Sequence, residues 1–92
     1  MAVKEALVTV SGRVQGVWFR ASTVEVAREV GARGYVRNLP DGTVEALVQG
    51  TEEQIDTVVE FMKKGPPGAL VLSSEVTRRT PVREYETFAV SR

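Results

Sequence analysis

The 92-residue chain contains neither cysteine nor histidine, and these two absences remove most common routes to catalysis. Without cysteine there are no disulfides, no thiolate nucleophile and none of the usual zinc frameworks. Without histidine there is no Ser-His-Asp or Cys-His relay. Metal binding would fall to carboxylates alone, and the ten glutamates and two aspartates include no Asp-x-Asp cluster. Whatever chemistry the chain performs must proceed without a conventional base or metal. No apolar run approaches the roughly 18 residues of a membrane span, and the N-terminus lacks a signal-peptide pattern. A cytoplasmic protein with no membrane partner is therefore expected. Twelve basic and twelve acidic residues cancel to zero net charge, so no global field recruits nucleic acid. Any preference for anions has to be built locally.

What is present reads as one globular domain spanning 1–92, with 42% hydrophobic and 26% charged residues. Residues 5–11 alternate, with Ala6, Val8 and Val10 opposite Leu7, Thr9 and Ser11, which predicts a half-buried strand. Ser22-Thr23-Val24-Glu25 matches a capping box and places a helix start at Ser22. Val24, Val26, Ala27 and Val30 fill one arc of that helix, and Gly31 supplies its left-handed stop. Residues 34–39 and 44–49 read as two strands joined through Pro40-Asp41-Gly42, a turn in which Pro sets φ and Gly accepts the positive φ that follows. Thr51 to Gln54 opens a second helix with a T-x-x-Q cap. Ile55, Val58, Val59 and Met62 give that helix one buried stripe, and Gly65-Pro66-Pro67-Gly68 ends it. Residues 69–80 turn from apolar to Ser, Glu, Thr and Arg, as suits an edge strand. Residues 84–91 predict a short fifth strand with Phe88 and Val90 on one side. The order β-α-β-β-α-β plus a terminal strand predicts a ferredoxin-like α+β sandwich. In it two helices cover one face of an antiparallel sheet, and the third strand lies between the first and second.

Chemistry is concentrated in Ser11-Gly12-Arg13-Val14-Gln15-Gly16-Val17-Trp18-Phe19-Arg20, between the first strand and the first helix. Two glycines permit a tight curve, successive amides in such a curve form a concave nest, and a helix N-terminus adds positive potential. This is an anion cradle on one reading and a Gly-rich connector with solvated arginines on the other. It is neither a Walker A loop nor a dinucleotide fingerprint. Asn38 shares the face of Val36 by period-2 counting, an odd place for an amide, because an unpartnered buried one costs a few kcal/mol. Either it caps the turn at 39–41 or it points into a functional cleft.

Gly12-Arg13-Val14-Gln15-Gly16-Val17-Trp18-Phe19-Arg20, then Gly34-Tyr35-Val36-Arg37-Asn38-Leu39-Pro40-Asp41-Gly42-Thr43-Val44-Glu45, then Gly65-Pro66-Pro67-Gly68-Ala69, closely resemble the acylphosphatase family in order and spacing over nearly the whole chain. The resemblance implies a ferredoxin-like fold and cofactor-free hydrolysis of carboxyl-phosphate anhydrides to a carboxylate and phosphate. It also implies that Arg20 binds the phosphoryl group and that Asn38 orients the attacking water. Backbone amides of Gln15, Gly16, Val17, Trp18, Phe19 and Arg20 would hold the phosphoryl oxygens. Tyr35 stands where many members have Trp, and the position of Trp18 varies; neither touches the two functional side chains.

Such a site is chemically sufficient. The leaving group is a carboxylate with a pKa near 4, which departs unprotonated, so no general acid is needed. A loose phosphoryl-transfer transition state asks for positioning and charge stabilisation more than for a strong base. The partner expected is a small acyl phosphate, and a monomer is expected. A non-catalytic anion-binding regulatory module is the competing reading. An RNA-recognition domain shares the strand order but needs stacking aromatics, and 5–11 and 44–49 have none.

Overall fold

In the computed structural model, which describes residues 3–91, seven elements follow one another. They are β1 (Lys4–Arg13), α1 (Phe19–Val30), β2 (Arg33–Asn38), β3 (Val44–Gly50), α2 (Glu52–Lys64), β4 (Leu70–Arg79) and β5 (Phe88–Val90). The sheet order is β4-β1-β3-β2-β5, so β3 lies between β1 and β2 as the crossover predicts. The first four strands are antiparallel neighbours, whereas β5 runs parallel to β2, which makes the five-stranded sheet mixed rather than antiparallel throughout.

Alternation decides which side of the sheet is dry. Ala6, Val8 and Val10 face Val48, Ala46 and Val44 across the β1–β3 ladder, and all six are fully buried. Val36 of β2 continues the layer beside Ala46. Ile55, Val58, Val59 and Met62 of α2 meet this surface, together with Phe19 and Ala27 of α1, in one apolar cluster. Thr51 closes α2 with a complete capping box: its hydroxyl accepts from the Gln54 amide, and the Gln54 side chain accepts from the Thr51 amide.

The opposite face is mostly polar, apart from the Leu7–Leu47 pair, and is partly covered by the irregular segment 80–87. Glu5, only 3% exposed, accepts from the Gln49 side-chain amide and from Arg79. Gln49 also donates to the Arg83 carbonyl and accepts from the Tyr85 amide, and Tyr85 packs edge-on against Tyr35 at 5.8 Å. The strand expected over 84–91 therefore shrinks to Phe88–Val90, because the residues before it spend their backbone groups on this polar layer. Phe88 is fully buried, whereas Val90 is 44% exposed past the core's edge, so the two do not share one buried side.

The expected start of α1 is also corrected. The helix begins at Phe19, not Ser22, which puts Ser22 and Glu25 inside it. The buried positions Phe19, Thr23 and Ala27 recur every fourth residue, with Val24, Val26 and Val30 only partly covered. Phe19 is the cause. Its ring enters the core 6.4 Å from that of Phe61, and burying an aromatic outweighs the modest gain from a capping box.

Candidate active site

The loop between β1 and α1 is shaped by two residues in the left-handed region, Gly16 at φ 75 and Trp18 at φ 64. Glycine adopts this conformation freely. For Trp18 it costs about 1–2 kcal/mol, and it is the sole non-glycine with positive φ among the described residues. Trp18 occupies the N-cap position of α1 but makes no side-chain cap bond, and the first turn of the helix carries no acid. The Ser22 amide bonds the Trp18 carbonyl at 3.0 Å, while the amides of residues 15–21 donate to no loop carbonyl and no side chain among the described residues. A capping box at Ser22 would have consumed donors of this kind. With the helix starting at Phe19 they stay open, at the positive end of the α1 dipole.

Phe19 anchors the helix start. Its carbonyl accepts the Thr23 hydroxyl at 2.8 Å, and its ring lies against Gly65. A Cβ on Gly65 would fall 2.9 Å from Phe19 Cε2, so the glycine after α2 clears space for the ring as well as ending the helix. Arg20, next in sequence, is half-buried.

Asn38 ends β2 on the other side of the cleft. The turn after it is closed without it. Leu39 and Thr43 pair through a 2.9 Å backbone bond, and Asp41 Oδ1 accepts from the Thr43 amide and hydroxyl. The Thr43 hydroxyl, with its amide second, holds the Asp41 carboxyl below the usual aspartate range. Gln15 completes the closure by donating its side-chain amide to the carbonyls of Leu39 and Thr43, both at 2.9 Å. The capping alternative for Asn38 is thus filled by Gln15 and Asp41. Asn38 Oδ1 is buried with no hydrogen-bond partner among the described residues, an arrangement that costs about 1–3 kcal/mol.

Arg20 and Asn38 line one cleft of about 750 Å³, together with Val14, Gly16, Trp18, Phe19, Ala21 and Val90. Arg20 is the single charged residue of that lining. Of the loop residues singled out from sequence, Gly16, Trp18, Phe19 and Arg20 line the cleft, while Val17 packs against the core and Gln15 turns its side chain to the β2–β3 turn. Sequence reasoning missed two features here. Gln15 as a staple had no local signal, since its partners lie 24 and 28 residues away. Alternation puts Val90 on the side of Phe88 and gives no sign that it lines the cleft. The cleft can hold a tetrahedral anion on open amides and one guanidinium, beside a carboxamide with a free oxygen. Among the described residues, no three acidic side chains converge into a metal-holding group.

The acylphosphatase family model matches residues 6–90. An acylphosphatase of Methylococcus capsulatus is 44% identical over 90 residues, covering 98% of both chains. Among solved structures, the acylphosphatase from Bacillus subtilis superposes with a TM-score of 0.92 at 32% identity, covering 97% of this chain and 99% of that one. One from Coxiella burnetii gives 0.90 at 37% identity, covering 98% and 94%.

Proposed function

The chain belongs to the acylphosphatase family and has its hydrolase activity, and from that premise we propose how the cleft performs it. The phosphoryl group of an acyl phosphate sits on the amides of Gln15, Gly16, Val17, Trp18, Phe19 and Arg20. The Arg20 guanidinium pairs with two of its oxygens, a planar fork matched to that geometry. Asn38 Oδ1 accepts a hydrogen bond from the attacking water and aims it at phosphorus. The water oxygen bonds to phosphorus while the phosphorus bond to the acyl oxygen breaks. The electron pair leaves with the carboxylate, and the proton of the water passes to solvent or to the product phosphate. The leaving carboxylate needs no proton, and in a loose transition state the water needs little deprotonation, so an amide suffices. Open amides act as preorganised donors where charge develops.

The observation carrying this reading is the unpartnered Asn38 Oδ1 in the same cleft as Arg20 and an uncapped helix start. Arg20→Ala is expected to abolish turnover and inhibition by phosphate with the fold intact. Asn38→Ala is expected to lower kcat far more than it raises KM, because water placement matters chiefly in the transition state. Full activity of the first variant, or a pure KM effect in the second, would remove that residue from its role.

The finer reading is a metal-independent, cytoplasmic monomer acting as one domain over 1–92 on small acyl phosphates, with neither nucleic acid nor membrane as partner. Zero net charge supports the exclusion of nucleic acid. No helix of the described residues is long and apolar enough to cross a membrane. Activity in chelator, and a monomer mass on size-exclusion chromatography, check the first and third terms.

A further inference from the structure

The cleft contains more than a phosphoryl group can use. Five large hydrophobic residues are exposed among the described ones, Trp18, Leu70, Leu72, Val82 and Val90, and two of them line this cleft. Trp18 is 81% exposed on the loop, and Val90 is 44% exposed on β5, about seventy residues further along the chain. Ala21, on the first turn of α1, adds a third apolar position to the lining. Val90 and Ala21 have no polar side-chain atom to offer a phosphate, and the indole of Trp18 has one N–H on an otherwise apolar face. The volume of about 750 Å³ falls in the range of about 300–1,000 Å³ typical of pockets that take a whole small organic molecule.

The backbone of Trp18 sharpens the point. A glycine at φ 64 would supply the same amide without strain, as Gly16 does two residues earlier. A tryptophan instead holds this left-handed backbone conformation, and its exposed side chain contributes little to the core. A large, rigid, flat side chain in such a place is suited to covering a flat apolar ligand.

We propose that Trp18, with Val90 and Ala21, forms a subsite for the acyl half of the substrate. It would give the enzyme a preference for acyl phosphates carrying aromatic or bulky apolar groups over acetyl phosphate. The proposal rests on the reading that Arg20 and the loop amides hold the phosphoryl half, since that fixes which half remains for Trp18. Contact with the acyl group is the same in bound substrate and transition state, so the preference is carried by KM more than by kcat.

The test is the ratio of kcat/KM for benzoyl phosphate to that for acetyl phosphate, measured in the parent, in Trp18→Gly and in Val90→Ser. Differences in intrinsic reactivity between the two substrates cancel when this ratio is compared across variants. The ratio is expected to fall at least tenfold in Trp18→Gly and several-fold in Val90→Ser, with the change lying in the KM for benzoyl phosphate. Because Trp18 is the chain's single tryptophan, fluorescence of the unmodified protein supplies a readout independent of any variant. Benzylphosphonate is expected to shift its emission at saturation more than methylphosphonate does. Ratios within twofold of the parent in both variants, or equal emission changes with the two phosphonates, would overturn the subsite and leave the roles of Arg20 and Asn38 standing. Should Trp18→Gly fail to fold, Val90→Ser and the phosphonate titration decide. Undiminished turnover in Arg20→Ala would instead remove the reading underneath.

Discussion

Arg20 shows how little a residue's type says without its setting. A guanidinium on a surface helix is ordinarily solvated, yet here it follows a buried Phe19 and lines a cleft otherwise free of charge. Its geometry should matter as much as its sign. Arg20→Lys preserves the charge but replaces a planar fork with a point donor, losing one of two charge-assisted bonds worth about 1.5–3 kcal/mol each. A drop in kcat/KM of about tenfold or more on a simple acyl phosphate is expected, and near-normal kinetics would argue against two-point contact. Asn38 is the complementary case: alternation flagged it as misplaced, and its burial without a partner is a standing cost. The backbone of Trp18, held at φ 64, carries a second cost. Both costs fall in one cleft, where strain and unmet hydrogen bonds are most often retained for a use.

The two helices began from the same kind of cue and came out differently. Thr51 caps α2 as its T-x-x-Q pattern predicts, whereas the Ser22 pattern lies inside α1 and caps nothing. Thr51→Ala should therefore cost about 1 kcal/mol, the usual worth of an N-cap, while Ser22→Ala should change stability by no more than a few tenths. Urea denaturation of the two variants measures both; equal losses would mean that the start of α1 is misassigned. The segment after α2 couples the helices. A methyl at Gly65 would meet Phe19 and Ala69 at 2.9 Å with φ at 77, so Gly65→Ala should destabilise by about 1–3 kcal/mol. It should also lower kcat/KM, because the displaced ring belongs to the helix turn that carries Arg20. A destabilised variant with unchanged kinetics would break that link.

At the scale of the whole molecule, the missing histidine becomes a statement about pH. The cleft is lined by no carboxylate and no imidazole. The profile of kcat/KM should be flat through neutrality, apart from the substrate's own phosphoryl ionisation, and a bell with an enzyme pKa between 6 and 8 would contradict the mechanism. An alkaline dependence of stability is expected from the polar face. Burial, and then the Glu45 carboxylate that accepts its hydroxyl at 3.2 Å, push the Tyr35 phenol above its ordinary value. The folded state thus holds that proton more tightly than the unfolded state. Its contribution is complete below about pH 10, the unfolded value, and is lost as pH rises through the raised folded one. Tyr35→Phe should flatten the fall in denaturation midpoint above pH 10; an identical fall in both proteins would assign it elsewhere.

By itself the sequence determined the parts whose cues are local: the alternation of β1 and β3, the stripe and cap of α2, the glycine stop of α1 and the turn at 40–42. It also determined the class of chemistry, because missing residue types exclude mechanisms whatever the fold. Tertiary structure alone decided where α1 begins, which way β5 runs, what closes the β2–β3 turn and which apolar residues stay at the cleft. The physical reason is range. A capping box or an alternating strand involves neighbours within one turn or pleat, whereas the Phe19 ring is placed by Phe61 and Gly65, and Gln15 by carbonyls 24 and 28 residues away. Where such contacts stabilise more than the local preference they displace, as at Ser22, the local signal is overridden, and here that override leaves the helix donors free.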